Sequence, residues 1–249
     1  MVALTVALFG LVIGSFVNVA IVRLPAKRSL LKPRSSCPAC DTPIAWHDNI
    51  PVLSFLALRG RCRACGAPIS WRYPIIELVT AGLLVAAWAH FGIGADFFVA
   101  ALLLATLVAI TGIDLDHQII PDKITLPGIV TGVVANLAVP GGSWSDSLLG
   151  IALGGGVFFV IILASGGGMG GGDMKLGAML GAFLGWKVTV VAIFVAVALG
   201  GVAAVGVLAA GLKGRKDPIP FGPFLAVGGA VALLWGPRLL TWYLDIFAS

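Results

Sequence analysis

Apolar runs of membrane length alternate with short polar or Gly/Pro-punctuated breaks along almost the whole chain. Eight runs are candidate spans: 2–22, 74–91, 97–113, 124–139, 146–164, 174–186, 188–211 and 222–243. A helix needs about 20 apolar residues to cross the hydrocarbon core, and the sixth run is too short for a perpendicular crossing. The break near Trp186-Lys187 is therefore the weakest boundary, and seven spans with one broken helix is the alternative. The first run has no Lys or Arg before Arg23 and is followed by many further spans, so it reads as a retained helix and not a cleaved signal peptide. One long polar segment, 23–73, interrupts the pattern. The chain is expected to be an all-α polytopic membrane protein, with a first helix at 1–22, an insert at 23–73 and a membrane domain at 74–249.

Composition agrees with the pattern and adds two details. With 59% hydrophobic and 11% charged residues, against about 25% charged in ordinary soluble domains, a water-soluble fold is excluded. The thirty-four glycines suit close helix packing, and Gly150/Gly154 and Gly177/Gly181/Gly185 form small-residue stripes at i, i+4 spacing. The basic residues are unevenly placed. Arg23, Lys27, Arg28, Lys32, Arg34, Arg59, Arg61, Arg63 and Arg72 lie in or beside the insert, and Lys213, Arg215 and Lys216 lie in a late loop. If eight spans alternate, Lys123 and Lys175 join them on one face, and only Lys187 and Arg238 fall opposite. The positive-inside rule makes that face cytoplasmic. Most of these charges are expected to set topology and touch anionic lipid; no nucleic-acid partner is expected.

The insert carries two C-x-x-C pairs, Cys37/Cys40 and Cys62/Cys65. Each is followed by a matching segment, Cys40-Asp-Thr-Pro-Ile-Ala-Trp46 and Cys65-Gly-Ala-Pro-Ile-Ser-Trp71, at a period of 25. Two such knuckles, each giving two thiolates, suit one closed tetrahedral zinc. A cytoplasmic location disfavours disulfides, and a redox dithiol needs one C-x-x-C, not a duplicate. The expectation is a small zinc-ribbon-like segment held by a structural zinc, because so short a stretch cannot build a large core. His47 lies nearby but is expected to be a surface residue.

Two aspartates stand out at the ends of apolar runs. Asp114 closes the third run in Thr-Gly-Ile-Asp-Leu-Asp-His-Gln, and Asp173 opens the sixth after Gly166, Gly167, Gly168, Gly170, Gly171 and Gly172. Two spans and three connections separate them, which returns the chain to the same face. Carboxylates at a membrane edge are costly and point to function, and a pair that meets can share a proton and activate water. A cap needs one or two adaptable residues and not six glycines, which suit close approach of a substrate backbone. Asp116 is expected to point away from Asp114, and Asp122 to be the N-cap of the fourth span. Glu77 and Asp217 read as an interfacial and a loop charge, and His117 as a surface residue.

The ordered motifs resemble the type IV prepilin peptidases across nearly the whole chain. They are Gly14-Ser-Phe-Val-Asn-Val19 with Arg23-Leu-Pro25, both cysteine knuckles, Asn49-Ile-Pro-Val-Leu-Ser54, Arg72-Tyr-Pro-Ile-Ile-Glu77, Ile113-Asp-Leu-Asp-His-Gln118, Ile120-Pro-Asp122, the Gly-x-Gly-Asp ending at Asp173, and Pro218-Ile-Pro-Phe-Gly-Pro223. The resemblance implies a bacterial inner-membrane aspartyl endopeptidase with Asp114 and Asp173 as its catalytic pair and no metal in the peptidase site. It implies zinc on Cys37, Cys40, Cys62 and Cys65, with the zinc insert and both aspartates cytoplasmic. Prepilins and pseudopilins of type IV pili and type II secretion would be cut after a glycine. The new amino terminus would then be methylated with S-adenosylmethionine. The linker from Pro25 to Cys37 is short compared with longer members of that family. No motif marks a methyl-donor site; the insert and the adjoining end of the first span are the expected location.

In the mechanism expected from these residues, one aspartate is ionised and activates water while the other is protonated and polarises the scissile carbonyl. Asp173 heads a helix, whose dipole favours an anion, and Asp114 ends one, so Asp114 is expected to hold the shared proton. Three other readings are a presenilin-like protease, a cation or proton transporter, and a zinc-stabilised scaffold. The first sits poorly with the cysteine insert, the second with edge-placed carboxylates, and the third leaves the glycine-flanked pair without a role.

Overall fold

The structure is a computed structural model and describes residues 1–166, 168–211, 214 and 219–248. Gly167, Lys213, Arg215, Lys216, Asp217 and Pro218 of the preceding section lie outside the described residues. The elements are helical throughout: α1 (Val2–Arg23), a 3₁₀ turn (Trp46–Asn49), α2 (Leu53–Ala57), α3 (Arg72–Phe91), α4 (Ala95–His117), α5 (Asp122–Ala138), α6 (Trp144–Ala164), α7 (Gly171–Ala209) and α8 (Gly222–Ala248). Six of these, α1, α3, α4, α6, α7 and α8, are long and apolar enough to cross a membrane. The chain is an integral membrane protein of the all-α class.

The eight expected spans resolve differently in two places. The fourth, α5, has 17 residues and a length of roughly 25 Å, short of the ~30 Å core. The sixth and seventh are the arms of α7, whose backbone leaves helical geometry at Gly185 (φ 71°, ψ 168°). Only glycine adopts that region without strain. The Gly185 carbonyl accepts the Thr189 hydroxyl at 2.6 Å. The break therefore falls one residue before the Trp186-Lys187 pair.

The chain forms two compact units, residues 1–109 and 110–249, with the division inside α4. In the first, α1 packs on α3 through Gly10 and Gly14. A Cβ on either glycine would come within 2.6 Å of a backbone α-carbon of α3, at Ala81 and Glu77 respectively. This is the close crossing that small residues four apart permit in membranes. In the second unit α6 and α7 meet along the expected glycine stripes. Gly150 lies against the Gly181 backbone and Gly154 against that of Gly177. Polar side chains join three helices there: Asn136 Nδ2 of α5 donates to Ser147 Oγ of α6 at 2.7 Å, and Ser147 donates to the Ala182 carbonyl of α7 at 2.9 Å.

Candidate functional site: a buried carboxylate pair and a four-thiol cluster

Asp114 lies in the last turn of α4 and Asp173 in the first turn of α7. Both are buried, at 5% and 9% exposure, and the backbone beside each approaches the same side chain, Ile120. Three residues frame the pair. The backbone N–H of Gly222, first residue of α8, donates to Asp114 Oδ2 at 3.0 Å. A Cβ at Gly222 would stand 2.6 Å from that oxygen and 3.2 Å from Ile120 Cδ1. A Cβ at Gly172 would stand 2.9 Å from Ile120 Cβ. Ile120 is therefore wedged between the starts of α7 and α8, with one aspartate beside each. A shallow groove of about 330 Å³, lined by Leu115, Gln118, Pro220, Pro223 and Phe224 among others, opens alongside.

This geometry changes the asymmetry expected from sequence. Asp114 does end a helix, but the first N–H of α8 points at its carboxylate. Helix N-termini thus face both members of the pair, and the positive end of a helix dipole compensates negative charge at each. The role of Gly222 was not assigned from sequence. Its signal was the Pro-Phe-Gly-Pro run opening the last span.

The other acids are placed as follows. Asp116 is exposed. Asp122 is not an N-cap: α5 starts at Asp122 itself, after Pro121, and no side-chain cap bond forms. Its carboxylate instead takes both bonds from Lys175 Nζ, at 2.7 and 2.8 Å. The pair ties α5 to the start of α7, two residues past Asp173. Glu77, read from sequence as an interfacial charge, has a partner inside the protein. It is 7% exposed and accepts the Val52 N–H at 2.8 Å, holding Val52 at φ 59°, a conformation rare for a β-branched residue. A carboxylate inside an apolar span was the overlooked signal. His47 and His117 are both exposed.

The four thiols converge. Sγ atoms of Cys37, Cys40, Cys62 and Cys65 all lie within 4.8 Å of one another. Cys37 and Cys65 are 3.8 Å apart, far beyond a disulfide bond of about 2.05 Å. Tetrahedral thiolates at about 2.3 Å from zinc have edges of about 3.8 Å, so the cluster fits such an ion. The duplication is geometric as well as sequential. Bridges pair Ser36 with Pro43 and Arg61 with Pro68. The bonds Cys37 N→Thr42 O and Cys62 N→Ala67 O, and Ile44 N→Ser35 O and Ile69 N→Gly60 O, repeat at the same period. Hydrogen bonding with the Thr42 side chain and backbone brings the Cys40 thiol down to about 7. Backbone bonds from Cys65 and Ala64 lower Cys62 as well. The Ala67 backbone bond lowers the Cys65 thiol, but its neighbours, Cys40 first among them, outweigh it and push it up to about 11.

Fold and site define a helical integral membrane protein with a buried carboxylate pair and a separate metal-competent thiol cluster. Residues 8–91 match the bacterial peptidase A24 N-terminal domain, and residues 101–205 match the type IV leader peptidase family. The chain is 41% identical to the prepilin leader peptidase/N-methyltransferase of Aeromonas hydrophila, covering 97% of this chain and 93% of that one. Identity to the proteins of the same description is 38% in Bacillus subtilis, over 96% of both chains, and 38% in Pseudomonas aeruginosa, over 96% and 92%. No solved structure matches the chain. The chain belongs to the type IV leader peptidase family.

Proposed function

We propose that the chain is a membrane aspartyl endopeptidase that removes the leader of type IV prepilins and pseudopilins after a glycine, then methylates the new amino terminus. The observation that carries the peptidase half is the buried Asp114–Asp173 pair, framed by Gly222, Ile120 and Gly172. Two carboxyl groups so placed cannot both ionise cheaply. The ionised member takes a proton from water, and the hydroxide adds to the scissile carbonyl carbon. The protonated member donates to the carbonyl oxygen as the tetrahedral intermediate forms. Its collapse breaks the C–N bond, and the proton taken from water passes to the departing amine nitrogen. The Gly222 N–H holds one Asp114 oxygen in place throughout, so the pair is positioned before substrate arrives.

The domain division follows the chemistry: residues 74–249 carry the peptidase, and 23–73 the metal. Cys37, Cys40, Cys62 and Cys65 hold a structural zinc, which supplies a cross-link between the two knuckles and no open coordination position. By the positive-inside rule the insert and both aspartates face the cytoplasm, where a basic leader remains as the apolar part of a prepilin stays in the bilayer. S-adenosylmethionine, when bound, supplies an electrophilic methyl group to the neutral new amine, which loses a proton as the sulfonium becomes a thioether.

The test is incubation of membranes carrying the protein with a prepilin and labelled S-adenosylmethionine, read by mass spectrometry. Leader loss after glycine with a methyl gain is expected. Asp114→Asn and Asp173→Asn should each reduce cleavage by about 10²–10⁴-fold, the scale of general acid–base catalysis, with membrane insertion and zinc content unchanged. Near wild-type cleavage by either variant would remove that residue from the mechanism.

A further inference from the structure

The connector from α4 to α5, residues 118–121, takes no chemical step, yet it is held at both ends. At its start the Gln118 N–H donates to the Asp114 carbonyl at 2.9 Å. Gln118 also takes positive φ, 52°, uncommon for a residue with a side chain, and turns the chain out of α4. At its end Pro121 has φ −69°. The residue before a proline is driven to extended backbone, and Ile120 lies outside both helices. Just beyond, both carboxylate oxygens of Asp122 are bound by Lys175 of α7. One end of the connector is thus anchored on the helix of Asp114, and the other on the helix of Asp173.

What this anchoring fixes is the side chain of Ile120. Its Cβ faces Gly172, the residue before Asp173, where an added Cβ would stand 2.9 Å away. Its Cδ1 faces Gly222, where an added Cβ would stand 3.2 Å from Cδ1 and 2.6 Å from Asp114 Oδ2. The isoleucine therefore stretches across the interval between the starts of α7 and α8, with a glycine at each end and no room for a Cβ at either. A β-branched side chain has few rotamers into which it can swing aside. A scissile carbonyl must come within about 2.6–3.2 Å of the carboxyl groups that act on it. The Cβ of the residue that supplies this carbonyl is only two bonds from the carbonyl carbon, so it would enter the same interval. Glycine alone brings no Cβ. The restriction is local, because the adjoining groove of about 330 Å³ beside Leu115, Pro220 and Phe224 is open.

We propose that Ile120 is the specificity-determining residue of the peptidase: its side chain occupies the space that a Cβ would need, and so restricts the residue on the carbonyl side of the cut bond to glycine. A glycine offers no side chain to bind, so it can be selected only by a wall that excludes larger residues. The wall works only if it is held, which is what the anchors at Gln118 and Asp122 supply. The proposal rests on the peptidase half of the proposed function and adds to it the residue that reads the substrate.

The test mixes two prepilins that differ only in the last leader residue, glycine or alanine, with full-length protein in nanodiscs. Mass spectrometry of the products gives the ratio of their kcat/KM values. Wild type should favour glycine by about 10- to 200-fold, the range that a single methyl group commands. Ile120→Ala should lower that preference by about tenfold, whatever its absolute rate. Phe224→Ala, in the open groove, should leave the ratio at the wild-type value. If Ile120→Ala does not insert into membranes, Ile120→Val, which removes only the Cδ1 methyl, decides by the same ratio, with a fall of about threefold expected. Both prepilins slowing together in the Ile120 variants, with the ratio unchanged, would make Ile120 a packing residue and overturn the proposal while the peptidase reading stands. So would an equal shift in Phe224→Ala, or a wild type that cuts both prepilins alike. No cleavage of the glycine prepilin by inserted wild-type protein would overturn the peptidase reading, and the proposal with it.

Discussion

Gly222→Ala tests how tightly the carboxylate pair is held. The added Cβ would stand 2.6 Å from Asp114 Oδ2 and 3.0 Å from its Cγ, and real Cβ contacts essentially never fall under 3.0 Å. Ile120 Cδ1, at 3.2 Å, closes one direction of escape. The carboxylate or the start of α8 must therefore shift by roughly half an ångström or more. A misplacement of about 1 Å in a catalytic group costs on the order of 10²-fold in rate. The expected loss in kcat/KM is thus about 10- to 100-fold, or about 1.4–2.7 kcal/mol of transition-state stabilisation. Alanine favours a helix over glycine by about 1 kcal/mol, so α8 itself is not weakened. The assay is steady-state leader cleavage by purified protein, with thermal stability and zinc content as controls. Gly206→Ala in α7 is the reference, since nothing lies within 4 Å of a Cβ there. Gly222→Ala cleaving within twofold of Gly206→Ala would refute the claim that the α8 terminus positions Asp114.

Two further outcomes concern the insert. Metal analysis should find one zinc per chain, and Cys62→Ser should lose it. The amides of Cys37 and Cys62, bonded to Thr42 and Ala67 in the paired knuckles, should then exchange faster with deuterium; a full equivalent of zinc in that variant would refute the four-thiol site. The Asp48 carboxyl is held below the usual carboxylate range, first by the hydrogen bonds from Arg63. A depressed folded value means that the stabilisation is present above the unfolded pKa and is lost as pH falls through the folded one. Protection of the Trp46–Asn49 amides, relative to the intrinsic exchange rate at each pH, should therefore fall on acidification below about pH 4, and an Arg63→Ala variant should show that loosening at neutral pH. The pair is exposed, so the change should be small and fall with added salt. An identical exchange profile in wild type and variant across the range would count against it.

Much of this was legible from short-range pattern. Helix class and the membrane setting follow from apolar run length, because a lipid-exposed backbone must satisfy its own hydrogen bonds. The convergence of Cys37, Cys40, Cys62 and Cys65 follows from a duplication visible in the chain. The packing of Gly150 and Gly154 on Gly181 and Gly177 follows from helical spacing. Less was legible where a partner comes from a distant segment. Asp122 looked like a cap because caps are local; Lys175 takes it instead from α7. The partner of Glu77 likewise lies outside its own helix, since the Val52 N–H comes from the insert.

The same division applies to the protein as a whole. Sequence alone determined which residues have chemistry worth placing: two aspartates at the ends of apolar runs, four cysteines at a repeating period, and an excess of basic residues on one set of loops. Those properties reside in residue type and spacing, which local physics translates into elements. Tertiary structure decided what each group meets. It broke α7 at Gly185, aimed the N–H of Gly222 at Asp114 and wedged Ile120 between two helix starts. Contacts of that kind join residues far apart in the chain, and their geometry is set by packing, which no local pattern encodes.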